Sequence, residues 1–251
     1  MAGHSKWANI RHRKGKQDAR RGNLFSKLSR ALTVAAREGG GNPETNVKLR
    51  LALQKAKEAN MPADTIMAAI RRGTGELQGE ALEEIVYEGY GPGGVAILLE
   101  AVTDNRNRTA AEVRHLFSRF GGSLGESGCV AWMFEKKAYV FVERSGCPLA
   151  EDELLEAALE GGAEDLRAED DGWEITGEPS ALESIKAALK RRDVRPQIAE
   201  VTMVPKSTVS VSGPTGQKVL RLLEALEEHD DIQQVYSNFD MEAAEMKKYA
   251  G

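Results

Sequence analysis

The chain has 251 residues, of which 41% are hydrophobic and 29% are charged, so it holds enough apolar material for a buried core and is not a disordered protein. Its longest aliphatic run, Val95 to Leu99, has five residues, far fewer than the roughly 20 of a transmembrane helix, and its two cysteines exclude a disulfide scaffold and a cysteine zinc site. The net charge of −5 hides an uneven distribution, because residues 1–73 carry +11 and the rest carries −16. That asymmetry indicates a polyanion-binding segment joined to an acidic body.

The most basic part of the chain is its beginning, where residues 1–30 hold nine basic residues against Asp18 alone. Lysine and arginine bind phosphates without sequence preference by releasing counterions, and Trp7 offers a face for stacking on an unpaired base. The alternatives are a solvated tail and a tryptophan that anchors the arm on its own helical domain. We predict a basic arm (residues 6–21) that binds nucleic acid, DNA or RNA, through Lys6, Trp7, Arg11, His12, Arg13, Lys14, Lys16, Arg20 and Arg21.

Three helices are predicted after the arm. Apolar residues at helical spacing indicate a first helix that ends at the glycines 39–41. Asn42 as N-cap and Pro43 in the first turn predict the start of a second helix. A short third helix is closed by Gly73, so residues 1–73 are predicted to form the basic arm and a small helical domain.

Strands and helices alternate in the next part of the chain. Residues 85–87 and 95–102 are predicted strands that a glycine-rich turn connects. A capping box formed by Thr109 and Glu112 predicts the start of a helix. Residues 130–134 are the next predicted strand, which makes this segment β-α-β.

A complete strand and helix pattern follows, in which a second capping box begins at Ser180. Its order, β-α-β-β-α-β, is the ferredoxin-like signature, and the segment beyond it again predicts β-α-β. We expect the two flanking halves to complete one ferredoxin-like unit. The predicted fold class is α+β multi-domain, an N-terminal helical domain with a basic arm plus two ferredoxin-like α/β domains, the third inserted in the second. The predicted domains are 1–73, 74–136 plus 205–251, and 137–204.

Motifs of catalysis or cofactor binding are not found. Gly89–Gly94 fits G-x-G-x-x-G, but a strand and not a helix follows it, and Gly213–Lys218 lacks the P-loop spacing. We interpret both segments as turns. The four histidines show no metal-ligand spacing, and acidic pairs such as Asp230 and Asp231 are interpreted as solubilising. The sequence therefore predicts no catalytic residue, no cofactor and no metal.

The loop from Asp104 to Thr109 is a candidate anion site. It connects an apolar strand to a helix, and helix N-termini attract anions. Arg106 and Arg108 would hold a phosphate there. In the alternative interpretation, Asp and Asn side chains cap the loop backbone while the arginines pair with acids of the same domain. Both interpretations stay open.

Several motifs together resemble one known family, the YebC-like proteins, whose mitochondrial relatives include the translational activator of cytochrome c oxidase. The motifs are Met1–Lys14 (MAGHSKWANIRHRK), Glu88–Ala96 (EGYGPGGVA), Thr103–Thr109 (TDNRNRT), Gly121–Gly125 (GGSLG) and Ala131–Phe134 (AWMF). The resemblance implies a three-domain protein with a helical N-terminal domain and two α/β domains, located in the bacterial cytoplasm and without enzymatic activity. Members are commonly described as transcriptional regulators that bind DNA. Others act in translation, on the ribosome or on messenger RNA, including relief of stalling at proline-rich stretches.

These observations lead to one hypothesis, a non-enzymatic nucleic-acid-binding regulator of gene expression that binds DNA and regulates transcription. The same-class alternative is a ribosome- or RNA-associated translation factor. A more remote alternative is an enzyme built on the Gly91 turn and the Arg106–Arg108 loop, acting on a phosphorylated small molecule. We expect a cytoplasmic protein with nucleic acid as its partner and no contact with membranes, since the first seven residues lack the apolar region of a secretory signal. The oligomeric state stays open.

Overall fold

The helical and strand elements are taken from a computed structural model, which describes residues 17–79, 81–169 and 171–249. For residues 17–21 and for Lys247 it describes the backbone alone. Eight α-helices and ten β-strands lie within these ranges. Their arrangement, mixed helix and sheet with separate sheets, confirms an α+β multi-domain class.

The first three helices pack around a small apolar core. Leu32, Leu49 and Ala69 are fully buried in it. The first and third helices approach closely at Gly73, where a Cβ atom would lie 2.3 Å from the carbonyl oxygen of Thr33. The helices are α1 (Gln17–Gly39), α2 (Val47–Glu58) and α3 (Ala63–Gly73).

The start of α2 differs from the prediction. Asn42 accepts a hydrogen bond from the amide of Glu44 at 2.9 Å, within a turn, and does not cap the helix. The N-cap is Asn46, whose side chain accepts from the amide of Leu49 at 3.0 Å and donates to the carbonyl of Ala35 at 2.7 Å.

One antiparallel sheet combines strands from two distant parts of the chain. Its order is β3-β1-β2-β9. The hairpin that β1 and β2 form confirms that the glycine-rich segment between them is a turn. Two helices cover one face of this sheet, with Phe117 and Leu222 fully buried between them. The elements are β1 (Glu83–Tyr90), β2 (Ala96–Thr103), α4 (Arg106–Phe120), β3 (Ser123–Leu124), α7 (Gly213–Glu228) and β9 (Ile232–Ser237).

A second antiparallel sheet comes from one continuous segment. It has the order β5-β6-β4-β7 and the predicted connectivity β-α-β-β-α-β. Val140, Leu154, Ile175 and Ile185 are fully buried between the sheet and its two helices. The elements are β4 (Phe134–Glu143), α5 (Glu151–Glu160), β5 (Ala163–Ala168), β6 (Gly172–Gly177), α6 (Leu182–Arg191) and β7 (Ile198–Pro205).

The end of the described chain contains the strand predicted at residues 208–211 and two elements that the sequence did not predict. The predicted strand does not join the first sheet, as the expected ferredoxin-like unit would require. A short parallel pair forms between β8 (Val209–Ser210) and β10 (Phe239–Asp240), and α8 (Ala243–Tyr249) follows. A search of the described helices finds none with the length and apolar character that crossing a membrane requires.

Three further local predictions are wrong. Residues 130–134 do not form a separate strand, because the amides of Val130 and Ala131 bond to the Glu88 side chain and a short 3-10 turn takes their place. The helix predicted to start at the Thr109 capping box begins at Arg106 instead. Likewise, α6 begins after a 3-10 turn and has no side-chain cap at its start.

Candidate nucleic-acid interface

Most of the predicted nucleic-acid contacts lie outside the described residues. Of the predicted set, Arg20 and Arg21 fall within α1, where the backbone alone is described. The roles predicted for the arm therefore stay predictions. The structure shows how α1, the helix that contains the last residues of the arm, is held. The predicted residues outside the described ranges are Lys6, Trp7, Arg11, His12, Arg13, Lys14 and Lys16.

A polar face of α1 binds the carboxyl end of α7. The Asn23 amide group donates to the carbonyl of Glu228 at 2.6 Å and to the carboxylate of Asp230 at 3.1 Å. One turn later, the Lys27 ammonium donates to the carbonyl of Glu227 at 2.5 Å. Carbonyls at a helix C-terminus carry partial negative charge, so a cation is stabilised there. These contacts fix α1 on the unit that contains the first sheet.

The centre of this contact is a buried carboxylate, Asp231, whose exposed fraction is 2%. It forms an ion pair with Arg30 of α1 and a second one with Arg108 of α4, at 2.9 Å. The hydroxyls of Thr109 and Thr103 also donate to it, at 2.6 and 3.2 Å. Burial alone would raise the pKa of Asp231, but the hydrogen bonds from Thr109, Arg108 and Arg30 outweigh it and hold that pKa well below its usual range.

Asp231 connects helices that are far apart in the chain, and we call this cluster the Asp231 latch (Arg30, Thr103, Arg108, Thr109 and Asp231). The guanidinium of Arg30 also donates to two backbone carbonyls, those of Val102 and Asp230, each at 3.1 Å. Because a buried carboxylate is stable only when its oxygens are bonded, the latch holds α1 in one position on the first sheet.

The loop of the candidate anion site lies at the start of α4. Asn105 caps α4 by accepting from the amide of Arg108 at 3.1 Å. The Arg108 guanidinium binds Asp104 at 2.8 Å as well as Asp231, and these carboxylates raise its pKa. Arg106 is exposed, and its carbonyl accepts from the Tyr87 hydroxyl. An anion at this helix end would compete with the carboxylates of Asp104 and Asp231 for Arg108. The exposed side chain of Arg106 would be the second cation available to that anion.

A groove of about 860 Å³ opens beside the latch, and His115 and His229 are among its lining residues. Ligand atoms of Glu112, His229 and Asp231 lie within 4.8 Å of one another there. Each of these residues already has a hydrogen-bond partner within the protein. His229 Nε2 lies 2.9 Å from the Glu112 carboxylate, and Nδ1 accepts from the Asp231 amide at 3.1 Å. Since Nδ1 accepts, Nε2 carries the proton and donates.

Residue roles at the latch differ from those that the sequence predicted. Asp231 was expected to serve solubility beside a turn, and that expectation is wrong because the residue is buried and bonded to two arginines. Lys27 and Arg30 contribute to the basic charge of the chain's beginning, yet both contact the acidic body. The spacing of Asn23, Lys27 and Arg30, four and three residues, is a signal for one polar helix face.

A second buried carboxylate, Glu88, organises the segment between β3 and β4. It is 4% exposed and accepts from the amides of Gly128, Val130 and Ala131 at 2.6, 2.8 and 2.7 Å. Burial would raise the pKa of Glu88, but the three backbone hydrogen bonds outweigh burial and lower it. The Glu88 carboxylate therefore accepts the hydrogen bonds that the carbonyls of a neighbouring strand would otherwise accept from these amides.

Replacing Glu88 by glutamine tests this role. The glutamine side chain has an NH2 group in place of one carboxylate oxygen, so at least one of the backbone amides loses its acceptor. We expect Glu88→Gln to lower the free energy of unfolding by about 1–3 kcal/mol, measured by thermal and urea unfolding. Glu126→Gln in the same segment, at an exposed position, is the matched control and should change it by less than about 0.5 kcal/mol. Equal effects of both variants would contradict this role.

The described geometry defines a class of protein, an α+β multi-domain protein whose helical unit is anchored on a sheet-bearing body through a buried carboxylate. The chain belongs to the TACO1/YebC family, as its resemblance predicted. The family model for the TACO1/YebC protein N-terminal domain matches residues 5–76, and the model for the TACO1/YebC second and third domain matches residues 82–239.

Relatives of similar length carry one common description, probable transcriptional regulatory protein. One from Pelotomaculum thermopropionicum is 54% identical and covers 96% of this chain and 100% of its own. Another from Halothermothrix orenii is 57% identical, with 96% of both chains covered. The crystal structure of a conserved hypothetical protein from Aquifex aeolicus has 50% identity and a TM-score of 0.76, and covers 90% of this chain and 92% of that one.

Proposed function

We propose that the protein is a non-enzymatic regulator of gene expression that binds nucleic acid, as a DNA-binding regulator of transcription. The description shared by its relatives supports a regulatory role. The residues that we assign to phosphate contacts are those of the basic arm, Lys6, Arg11, Arg13, Lys14, Lys16, Arg20 and Arg21, with Trp7 as an aromatic anchor and His12 beside them.

One observation carries this proposal, namely how α1 is anchored. Its described polar contacts with the body include those of Asn23, Lys27 and Arg30, and Val34 packs on the body with Leu82 and Val102. These described side chains hold α1 on the body, and we assign the cations of the arm to an external polyanion. The arm carries seven cations within sixteen residues, a charge that the partly positive N-terminal end of a helix does not favour.

The acidic body has a complementary role in this proposal. Residues 74–251 carry a net charge of −16, so most of the body's surface repels a phosphate backbone and contact through the arm is favoured. Non-specific coating of nucleic acid is thereby discouraged. The same surface would face a basic protein partner.

The kind of nucleic acid is decided by crosslinking in cells, followed by identification of the attached molecule. Recovery of promoter DNA supports transcriptional regulation. Recovery of ribosomal or messenger RNA, together with co-sedimentation with ribosomes at moderate salt, supports a translation factor instead, because phosphate contacts alone do not separate DNA from RNA. Recovery of neither nucleic acid contradicts the proposal.

We also propose that the second sheet belongs to an inserted domain, residues 137–204, and that 74–136 and 205–251 form one discontinuous domain. The position of β9 beside β2 supports this division. So does the apolar contact between α4 and α7, which brings Val113 and Phe117 into one core with Leu222.

Limited proteolysis tests the division. Once residues 205–251 are removed, the first sheet lacks an edge strand and one of its covering helices, so we expect residues 74–136 to be digested while 137–204 stays protected. Protection is measured by mass spectrometry of the fragments. If 74–136 persists as a folded fragment without 205–251, the proposed division is contradicted.

A further inference from the structure

Trp132 has the highest exposed fraction among the large apolar side chains of the described residues, 65%. It lies in the 3-10 turn Ala131–Met133, between β3 and β4. The residues on either side of this turn, Val130 and Phe134, are buried. The turn therefore exposes one indole ring while its flanks are fixed in the core.

The ring itself is fixed in position. The indole N–H of Trp132 donates to the carbonyl of Cys129 at 3.1 Å, and the hydroxyl of Tyr90 donates to the same carbonyl at 3.0 Å. The turn is closed by a bond from the amide of Met133 to the carbonyl of Val130 at 2.9 Å. One edge of the indole is held by the backbone, so its orientation is set before any ligand arrives.

The segment that precedes the turn is held in place by several backbone contacts. The Glu88 carboxylate holds three amides of the preceding segment, and the Glu88 carbonyl accepts from the amide of Gly125 at 2.7 Å. Gly122 packs so closely on β1 that a Cβ atom would lie 2.5 Å from the carbonyl of Tyr90. A preorganised ring loses little conformational entropy on binding.

Two lysines flank the turn. The amide of Lys206 donates to the carbonyl of Met133 at 2.8 Å, which places Lys206 beside the turn, and Lys136 lies on β4 opposite Met203. Both lysines are exposed, and neither forms an ion pair within the described part of the chain. Two exposed acids lie nearby in the chain, Glu126 in the preceding segment and Glu135 on β4, and Glu135 pairs with Lys137 at 3.4 Å.

We propose that Trp132 is a stacking site for an unpaired nucleobase, with Lys136 and Lys206 binding the adjacent phosphates. This inference rests on the proposed function and adds that the bound nucleic acid contains a single-stranded segment. An aromatic ring next to lysines is the combination that binds single strands, since each base has a flat π-face. Beside Trp132 in the turn, Ala131 and Met133 are half-buried, so the indole ring supplies most of the exposed apolar surface there. One exposed ring is far smaller than the extended apolar patches that dock proteins.

The test measures the affinity of the full chain for a labelled 12-nucleotide single-stranded RNA, the same sequence as single-stranded DNA, and a 12-base-pair duplex. We expect Trp132→Ala to weaken binding of both single strands by about 5- to 150-fold, the effect of losing one stacked base. Binding of the duplex should stay within about twofold, because its bases are already stacked on each other.

Two further variants separate stacking from structure. Trp132→Phe loses the bond to Cys129 but keeps an aromatic face, so it should retain most of the single-strand affinity. Leu159→Ala removes another exposed apolar side chain, 51% exposed on α5, and should change nothing. All variants are compared by thermal unfolding to confirm that they are folded.

The possible failures are distinguishable. If wild-type protein binds the single strands and Trp132→Ala binds them equally well, the stacking site is overturned, and a protein partner becomes the explanation for the exposed ring. If Trp132→Phe loses as much affinity as Trp132→Ala, the ring acts through the turn and the stacking site is again overturned. If wild-type protein binds neither single strands nor duplex, the proposed function itself fails, and this inference fails with it.

Discussion

Reversing three charges of the basic arm, in the triple variant Arg11→Glu, Arg13→Glu and Lys14→Glu, will abolish nucleic-acid binding while leaving the fold intact. Each reversal removes a cation that displaces a condensed counterion and adds an anion that repels the backbone. The combined loss should be at least about a hundredfold in affinity. Fluorescence anisotropy with a labelled duplex and a labelled single strand measures it, and circular dichroism confirms the fold.

The matched control makes the same change of net charge on the body. Lys190, Arg191 and Arg195 are exposed residues at and beyond the end of α6, and their replacement by glutamate gives the same overall charge as the arm variant. We expect this control to keep its affinity within a few-fold at physiological salt, where charges more than about 8 Å away are largely screened. Equal losses in both variants would show that net charge matters and that the arm does not.

Replacing Asp231 by asparagine will destabilise the protein and release α1. The variant removes the negative charge that Arg30 and Arg108 share, and its NH2 group replaces one of the two oxygens that accept from Arg30, Arg108 and Thr109. Breaking a buried pair costs about 3–5 kcal/mol, and the partial exposure of Arg108 reduces the expected loss to about 2–3 kcal/mol. That corresponds to a fall in Tm of roughly 5–10 °C. Hydrogen exchange should also become faster in α1 than in α5, which belongs to the other sheet.

The effect of Asp231→Asn should depend on pH. Because the folded-state pKa of Asp231 lies below its unfolded value of about 3.9, its stabilisation is complete above that value and is lost as the pH falls through the folded pKa. The stability difference between wild type and variant is therefore expected to be largest near pH 7 and to shrink in acid. The control is Asp165→Asn, in an exposed pair with Arg167, which should cost less than about 1 kcal/mol at any pH. A difference that does not change with pH would contradict the role of the Asp231 charge.

Much of the fold could be predicted from local patterns. Apolar periodicity and glycine turns indicated the helices before Gly73 and the β-α-β-β-α-β order of the second sheet, since both signals act over a few residues. Boundaries were less accurate where a side chain from elsewhere satisfies the backbone. The apolar run at Val130 was predicted as a strand because the sequence does not reveal that Glu88 binds its amides.

The latch could not be predicted from the sequence. Arg30 and Asp231 are separated by 201 positions, and no local pattern brings a residue of α1 next to one that precedes β9. In isolation Asp230 and Asp231 look alike, yet Asp231 is buried while the side chain of Asp230 contacts Asn23 at the surface. Tertiary packing decides which of two neighbouring acids becomes structural.

The salt dependence of nucleic-acid binding by the wild-type protein tests the central claim, that the arm neutralises a phosphate backbone. If the arm contacts about six phosphates, the logarithm of the affinity should fall with the logarithm of salt concentration with a slope near −5. Binding is measured between roughly 50 and 200 mM salt, the interval over which such contacts lose most of their strength. A slope close to zero would contradict the claim, because binding would then not depend on counterion release.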